Sequence, residues 1–110
     1  MIIGSMTPQQ LKQYLDAGDP VVVIDVRNPW ELEISQMAFA RLIVLDELPE
    51  RMDEIPKDQM VVLVCRSGGR SQMAGDFLAT QGWDPQRLFN LEGGILGWAR
   101  DVDPSLPAFY

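Results

Sequence analysis

"VVLVCRSGGRSQMAGDFL", residues 61 to 78, is the stretch on which the reading of this chain turns. A run of apolar, mostly β-branched residues ends at Cys65, the only cysteine among 110 residues. Arg66, Ser67, Gly68, Gly69, Arg70 and Ser71 follow, and helical periodicity begins behind them. A strand that runs through a glycine turn into a helix sets its last residue at the mouth of an α/β sheet. Functional groups gather there, beyond the carboxyl ends of strands. A lone cysteine in that place reads either as a small buried hydrophobe or as a nucleophile seated in an anion cradle.

The flanking sequence repeats the alternation. In "TPQQLKQYLDAG", Thr7 can cap, Pro8 suits the first helical position, and Gly18 suits a left-handed stop. "VVVID", residues 21 to 25, is the continuous apolar run of a strand covered on both faces. Asn28 and Pro29 restart a short helix by the same cap logic. "RLIVL" (41 to 45), "MVVLVC" (60 to 65) and "RLFNL" (87 to 91) read as further strands, and "DELPERMDEI" as a broken helical turn or two. A helix is expected from about residue 70 to 81, with Met73, Ala74, Phe77 and Leu78 facing inward and Gly82 ending it. "GGILGWARDV" reads as a glycine turn and a last helix. Strands alternating with helices imply an open, mostly parallel α/β sheet with right-handed crossovers.

Composition narrows the chemistry. The length suits one domain spanning residues 1–110, and 46% hydrophobic residues allow a real core. A formal charge of −7 argues against nucleic acid and against anionic membranes as partners. One cysteine cannot make an internal disulfide, and the start "MIIGSM" lacks the pattern of a signal peptide, so a thiol-reducing, cytoplasmic setting is expected. With no histidine and one cysteine, a zinc or transition-metal site is not expected, and a Ser-His or Cys-His pair is excluded. No organic cofactor is called for.

The loop itself can be read from its residue types. If the chain curls around residues 66 to 70, the N–H groups of Arg66 to Ser71 can face the sulfur as a nest before a helix N-terminus. Gly68 and Gly69 would supply the positive φ values, and Arg66 and Arg70 full charges. All these features favour thiolate over thiol and would hold an anionic substrate against it. Cysteine phosphatases use a C-x₅-R loop, whereas here Ser71 stands six past the cysteine and Arg70 comes one residue early. The shorter loop suits a sulfur atom better than a phosphoryl group. Sulfite, expelled when thiosulfate gives up sulfur, also leaves without needing a general acid. Spacing and the missing acid favour sulfur transfer.

"DVRNPWELEI", "VVLVCRSGGRSQMAGDFLATQGW" and "LFNLEGGILGW" resemble the successive signature segments of single-domain rhodanese-like sulfurtransferases. The resemblance implies an open five-stranded parallel sheet flanked by helices, an active-site loop at residues 65 to 70, and a persulfide carried on Cys65. Cys65 would take sulfane sulfur from a small anionic donor and pass it to cyanide, a thiol or a carrier protein, with sulfur-carrier or desulfurase proteins as partners. The chain departs from that pattern at Ser35-Gln36, where Gly-His is usual, and at Ala38-Phe39-Ala40, where Pro-Gly-Ala is usual. The tail "GWARDVDPSLPAFY" resembles the end of rhodanese domains fused to adenylyltransferases.

Asp25 and Arg27 end the strand expected beside that of Cys65. They either orient the loop through charge-assisted hydrogen bonds or form a supporting ion pair, the second being the simpler reading. Glu31 reads as structural, pairing with an arginine, and Trp30, Trp83 and Trp98 as core or rim packing. Glu92-Gly93-Gly94 reads most simply as a tight turn, which the resemblance places beside the active-site loop. Two alternatives to sulfur transfer stand: a noncatalytic binding module on the same fold, and a small cysteine phosphatase or arsenate-type reductase.

Overall fold

The computed structural model describes residues 2–110. The elements run β1 (Gly4–Met6), α1 (Pro8–Asp16), β2 (Val21–Asp25), α2 (Pro29–Leu32), β3 (Arg41–Leu42), α3 (Leu48–Arg51), β4 (Met60–Val64), α4 (Gly69–Thr80), β5 (Leu88–Leu91) and α5 (Gly94–Asp101). The strands form one parallel sheet in the order β1-β5-β4-β2-β3. This is the five-stranded α/β architecture expected.

β4 lies at the centre, and its period-two alternation divides the core. Val61 and Leu63 pack with Ala74 and Leu78 of α4 on one face, and Cys65 continues that series. Val62 and Val64 point to the other face, against Leu11 of α1 and Ile95 and Trp98 of α5. Register pairs Asp25 with Val64, so the carboxyl ends of β2 and β4 lie side by side.

Local signals set the helix limits. Thr7 Oγ1 accepts the Gln10 N–H at 3.1 Å while Gln10 Oε1 accepts the Thr7 N–H at 2.9 Å, a reciprocal capping box. At α2 the Asn28 N–H donates to Glu31 Oε2 at 2.9 Å.

The structure departs from the sequence reading at several elements. β1 was not expected: three residues, Gly4-Ser5-Met6, give no alternation to detect, and the strand exists because its register with Phe89–Leu91 completes an edge. β3 covers 41–42 rather than 41–45, because the chain turns away into a 3₁₀ turn at Leu45–Glu47. β5 begins at Leu88, since Arg87 belongs to a preceding 3₁₀ turn. Met73 is 63% exposed rather than inward: the buried stripe of α4 is Ser71, Ala74, Gly75, Leu78 and Ala79, and position 73 falls beside it. Trp30 is exposed, while Trp83 and Trp98 are buried. Phe39 sits in a turn closed by the Ala40 N–H on the Met37 carbonyl at 2.9 Å, with no positive φ required, and its ring meets Trp98 edge-on at 5.4 Å.

Candidate active site

Cys65 directly follows β4, and the chain turns through Arg66–Gly68 into α4. Gly68 takes the left-handed conformation at φ +118°, which an L side chain resists. That turn aims the Gly68 N–H at Cys65 Sγ, 3.1 Å away. Gly69, by contrast, is the first residue of α4 and has no positive φ, so the curl rests on Gly68 alone of the two. Ser71 Oγ lies 3.2 Å from the sulfur, and the N–H groups of Ser67 and Ser71 also face it.

Burial of Cys65, which is 1% exposed, opposes ionisation. The Ser71 hydroxyl and the amides of Ser71, Gly68 and Ser67 outweigh it and hold the thiol below its ordinary pKa. Of the Arg66 to Ser71 amides expected around the sulfur, those of Ser67, Gly68 and Ser71 face it, joined by the Ser71 hydroxyl rather than by an arginine.

The two arginines stand at the rim. Arg70 grips Glu31 with two bonds, Nη1 to Oε2 at 2.7 Å and Nη2 to Oε1 at 2.9 Å. Arg66 donates from Nε to the main-chain oxygen of Tyr110 at 2.9 Å, and its Nη2 bonds the same oxygen. Its guanidinium lies over the Tyr110 ring, 5.2 Å from the centroid. The Tyr110 hydroxyl donates to Glu31 Oε1 at 2.8 Å and accepts from Arg27 Nη1 at 3.1 Å. Arg70 and the neighbouring Asn28 and Tyr110 donors lower the Glu31 carboxyl to about 2, against the opposing effect of burial.

Asp25 and Arg27 form a buried ion pair, Nη2 to Oδ2 at 2.8 Å. Arg27 Nε also donates to Asp25 at 3.0 Å and Nη2 to the Ser35 carbonyl at 2.8 Å, while Nη1 faces Ser35 Oγ and the Glu31 carbonyl as well as the Tyr110 hydroxyl. The pair thus orders the segment that carries Glu31, and it is Glu31 that reaches the loop. Ser35, one of the departures from the family pattern, is a buried acceptor in this arrangement.

Two supports lie against the loop: the first is where the resemblance sets the Glu92-Gly93-Gly94 turn, and the second escaped the sequence reading. The first turn of α5 lies under the loop: the Ile95 N–H donates to the Cys65 carbonyl at 2.9 Å and the Leu96 N–H to the Arg66 carbonyl at 3.2 Å. Gly94, at φ +59°, permits the contact, because a Cβ there would come within 2.4 Å of the Arg66 oxygen. The second is Asn90 of β5, which bonds Ser71, Gly68 and Gln72. Its one sequence signal is a polar amide inside the apolar run "LFNL".

Among the described residues no group of three or more His, Cys, Asp or Glu side chains is placed to hold a metal ion. No helix among them is long and apolar enough to cross a membrane. A groove of about 510 Å³ between α1 and the β1 edge, lined by Ser5, Gln10, Tyr14 and Phe89 among others, includes no residue of the 65–71 loop.

Comparison with known proteins identifies the family and the fold. A "Sulfurtransferase" of Allochromatium vinosum is 38% identical over 99 residues, covering 90% of this chain and 91% of that one. The "Probable adenylyltransferase/sulfurtransferase MoeZ" of Mycobacterium tuberculosis is 34% identical over 105 residues, where this chain spans 94% of itself but only 26% of the relative. The crystal structure of a rhodanese-like domain protein from Staphylococcus aureus superposes with a TM-score of 0.80 at 31% identity, covering 87% of this chain and 91% of that one. The profile of the rhodanese-like domain matches residues 7–101, and the chain belongs to that family.

Proposed function

We propose that this chain, as one domain over residues 1–110, is a sulfurtransferase that carries sulfane sulfur on Cys65. The observation that supports the reading most is the convergence on one sulfur of the Gly68 amide at 3.1 Å and the Ser71 hydroxyl at 3.2 Å. That arrangement stabilises a thiolate, and it can likewise stabilise the charge of a persulfide.

In the first step Cys65 S⁻ attacks the outer sulfur of thiosulfate, or of a persulfide donor. A new S–S bond forms, the donor's S–S bond breaks, and its electron pair leaves with sulfite or thiolate. In the second step cyanide, a thiol or a carrier protein attacks the terminal sulfur, and Cys65 leaves as thiolate. No net oxidant, reductant or metal enters. The amides of Arg66–Ser71 hold the anion. Arg66 and Arg70 supply positive charge at the rim, and Asp25 and Arg27 support them through the Glu31 segment. A sulfur-carrier or desulfurase protein is the partner proposed, since MoeZ is named for both adenylyltransferase and sulfurtransferase. A cytoplasmic, thiol-reducing setting fits a lone cysteine.

Burial of Cys65 to 1% favours a second reading, a noncatalytic binding module on this fold. Thiocyanate production from thiosulfate and cyanide separates the two. Turnover by the native chain, abolished in Cys65→Ser with the fold retained, supports transfer; equal turnover by the variant refutes it.

A further inference from the structure

Asn90 lies inside β5, in register with Ser5 of β1 and Leu63 of β4. Its Nδ2 donates to the Gly68 carbonyl at 3.0 Å and to Gln72 Oε1 at 3.1 Å, so both amide hydrogens are engaged. A flipped amide would lose both donations. Oδ1 is thereby fixed toward Ser71, whose Oγ is 2.5 Å away.

Ser71 is fully buried, and its hydroxyl owns one hydrogen. Three acceptors surround it: Asn90 Oδ1 at 2.5 Å, the Gly68 carbonyl at 3.2 Å and Cys65 Sγ at 3.2 Å. While Cys65 is protonated, S–H donates to Ser71 Oγ and the hydroxyl donates to Asn90. Once the sulfur ionises, the hydroxyl must turn to Sγ to stabilise it, and Oδ1 loses its donor.

We propose that Asn90 is a positioning residue that competes with the Cys65 sulfur for the Ser71 hydrogen, and so keeps the thiolate less tightly held than the cradle alone would. This rests on the reading of Cys65 as nucleophile. The competition has a chemical use, because a thiolate's intrinsic nucleophilicity falls as its basicity falls. A sulfur bonded by every available donor would ionise readily and attack slowly. The cradle keeps other supports when Asn90 is replaced. The Gly68 carbonyl also accepts the Gln72 N–H at 3.1 Å, and α5 holds the Cys65 and Arg66 carbonyls.

The test is the pH titration of thiolate ultraviolet absorbance, with Cys65→Ser as the blank, which needs no reagent to reach the buried sulfur. Asn90→Ala should move the Cys65 midpoint down by about one unit, because a hydrogen bond to a charged group is released to the sulfur. Asn90→Asp should move it up by about one unit or more, since it keeps the competing acceptor and adds negative charge beside the sulfur. In a Ser71→Ala background the effect of Asn90→Ala should vanish. A merely scaffolding Asn90 would move both variants upward by loosening the cradle. That pattern, or unmoved midpoints, overturns the proposal. Should Asn90→Asp not fold, Asn90→Ala with and without Ser71 decides alone. The titration reads ionisation only, so failure of the native chain to transfer sulfur would refute the proposed function and leave these shifts standing.

Discussion

Arg70 and Glu31 face each other in a two-pronged pair of 2.7 and 2.9 Å, joining the loop after β4 to the short helix after β2. Glu31 is 2% exposed and Arg70 about one third exposed, so the carboxylate lies inside the molecule and depends on its donors. Planar two-point contact of this kind fixes orientation as well as charge. The Arg70 guanidinium is therefore held beside the cradle before any substrate arrives.

Arg70→Ala should weaken donor binding and also lower stability by about 1–3 kcal/mol, because it leaves a buried carboxylate short of its main partner. Urea unfolding reads the stability, and KM for thiosulfate reads the binding. Unchanged stability would mean that the pair does not anchor the loop.

The same pair gives the fold a defined acid response. Glu31 is lowered from 4.5 to about 2 on folding, first by Arg70. A depressed carboxyl contributes stability that is fully present above the unfolded value. That contribution is lost as pH falls from about 4.5 toward 2. Glu31→Gln should flatten the stability profile across that window while costing stability at neutral pH. A native profile already flat there would contradict the ion pair.

Ser71→Ala removes the one hydroxyl that faces Sγ. Cys65 should then ionise about one unit higher in pH, the worth of one hydrogen bond to a charged group. At neutral pH the pseudo-first-order alkylation rate should fall several-fold, with the fold intact by circular dichroism. An unshifted pH–rate profile would assign the thiolate to the amides alone.

Two glycines near the loop should respond in opposite ways. Gly94→Ala would drive a Cβ to 2.4 Å from the Arg66 carbonyl in a left-handed backbone, so it should destabilise the chain and disorder the cradle. Gly69 is helical with nothing within 4 Å of an added Cβ, and Gly69→Ala should be neutral or stabilise by about 0.5 kcal/mol. Thermal unfolding of the two variants distinguishes a close-packed turn from a flexible one.

What could be read in the residues followed their range. Thr7, Pro8 and Gly18 act within one helix, so their roles were legible from spacing, as was the strand–turn–helix passage through Cys65. The residues pair Glu31 with an arginine, but that the arginine is Arg70, and that Arg66 meets Tyr110, was not legible. Tyr110 lies 44 residues from Arg66, and Glu31 lies 39 from Arg70, so both contacts exist only after the sheet has ordered its strands. Asn90 escaped for the same reason: one polar residue in a four-residue strand has no local signature, and its meaning depends on β5 lying beside β4. β1 lacked the length to show a period. Met73 misled because α4 meets the Val61, Leu63 and Leu88 face of the sheet along a narrow stripe of its own small residues, and an apolar residue beside that stripe remains exposed.

The most direct test of Cys65 as the sulfur carrier is the intact mass of the purified protein after thiosulfate, before and after cyanide. A persulfide cycle predicts a gain of one sulfur atom, localised to Cys65, that cyanide removes as thiocyanate appears. An unchanged mass with thiosulfate, polysulfide and persulfide donors alike, together with a sulfur that resists alkylation at neutral pH, would contradict it and leave the fold as a binding module.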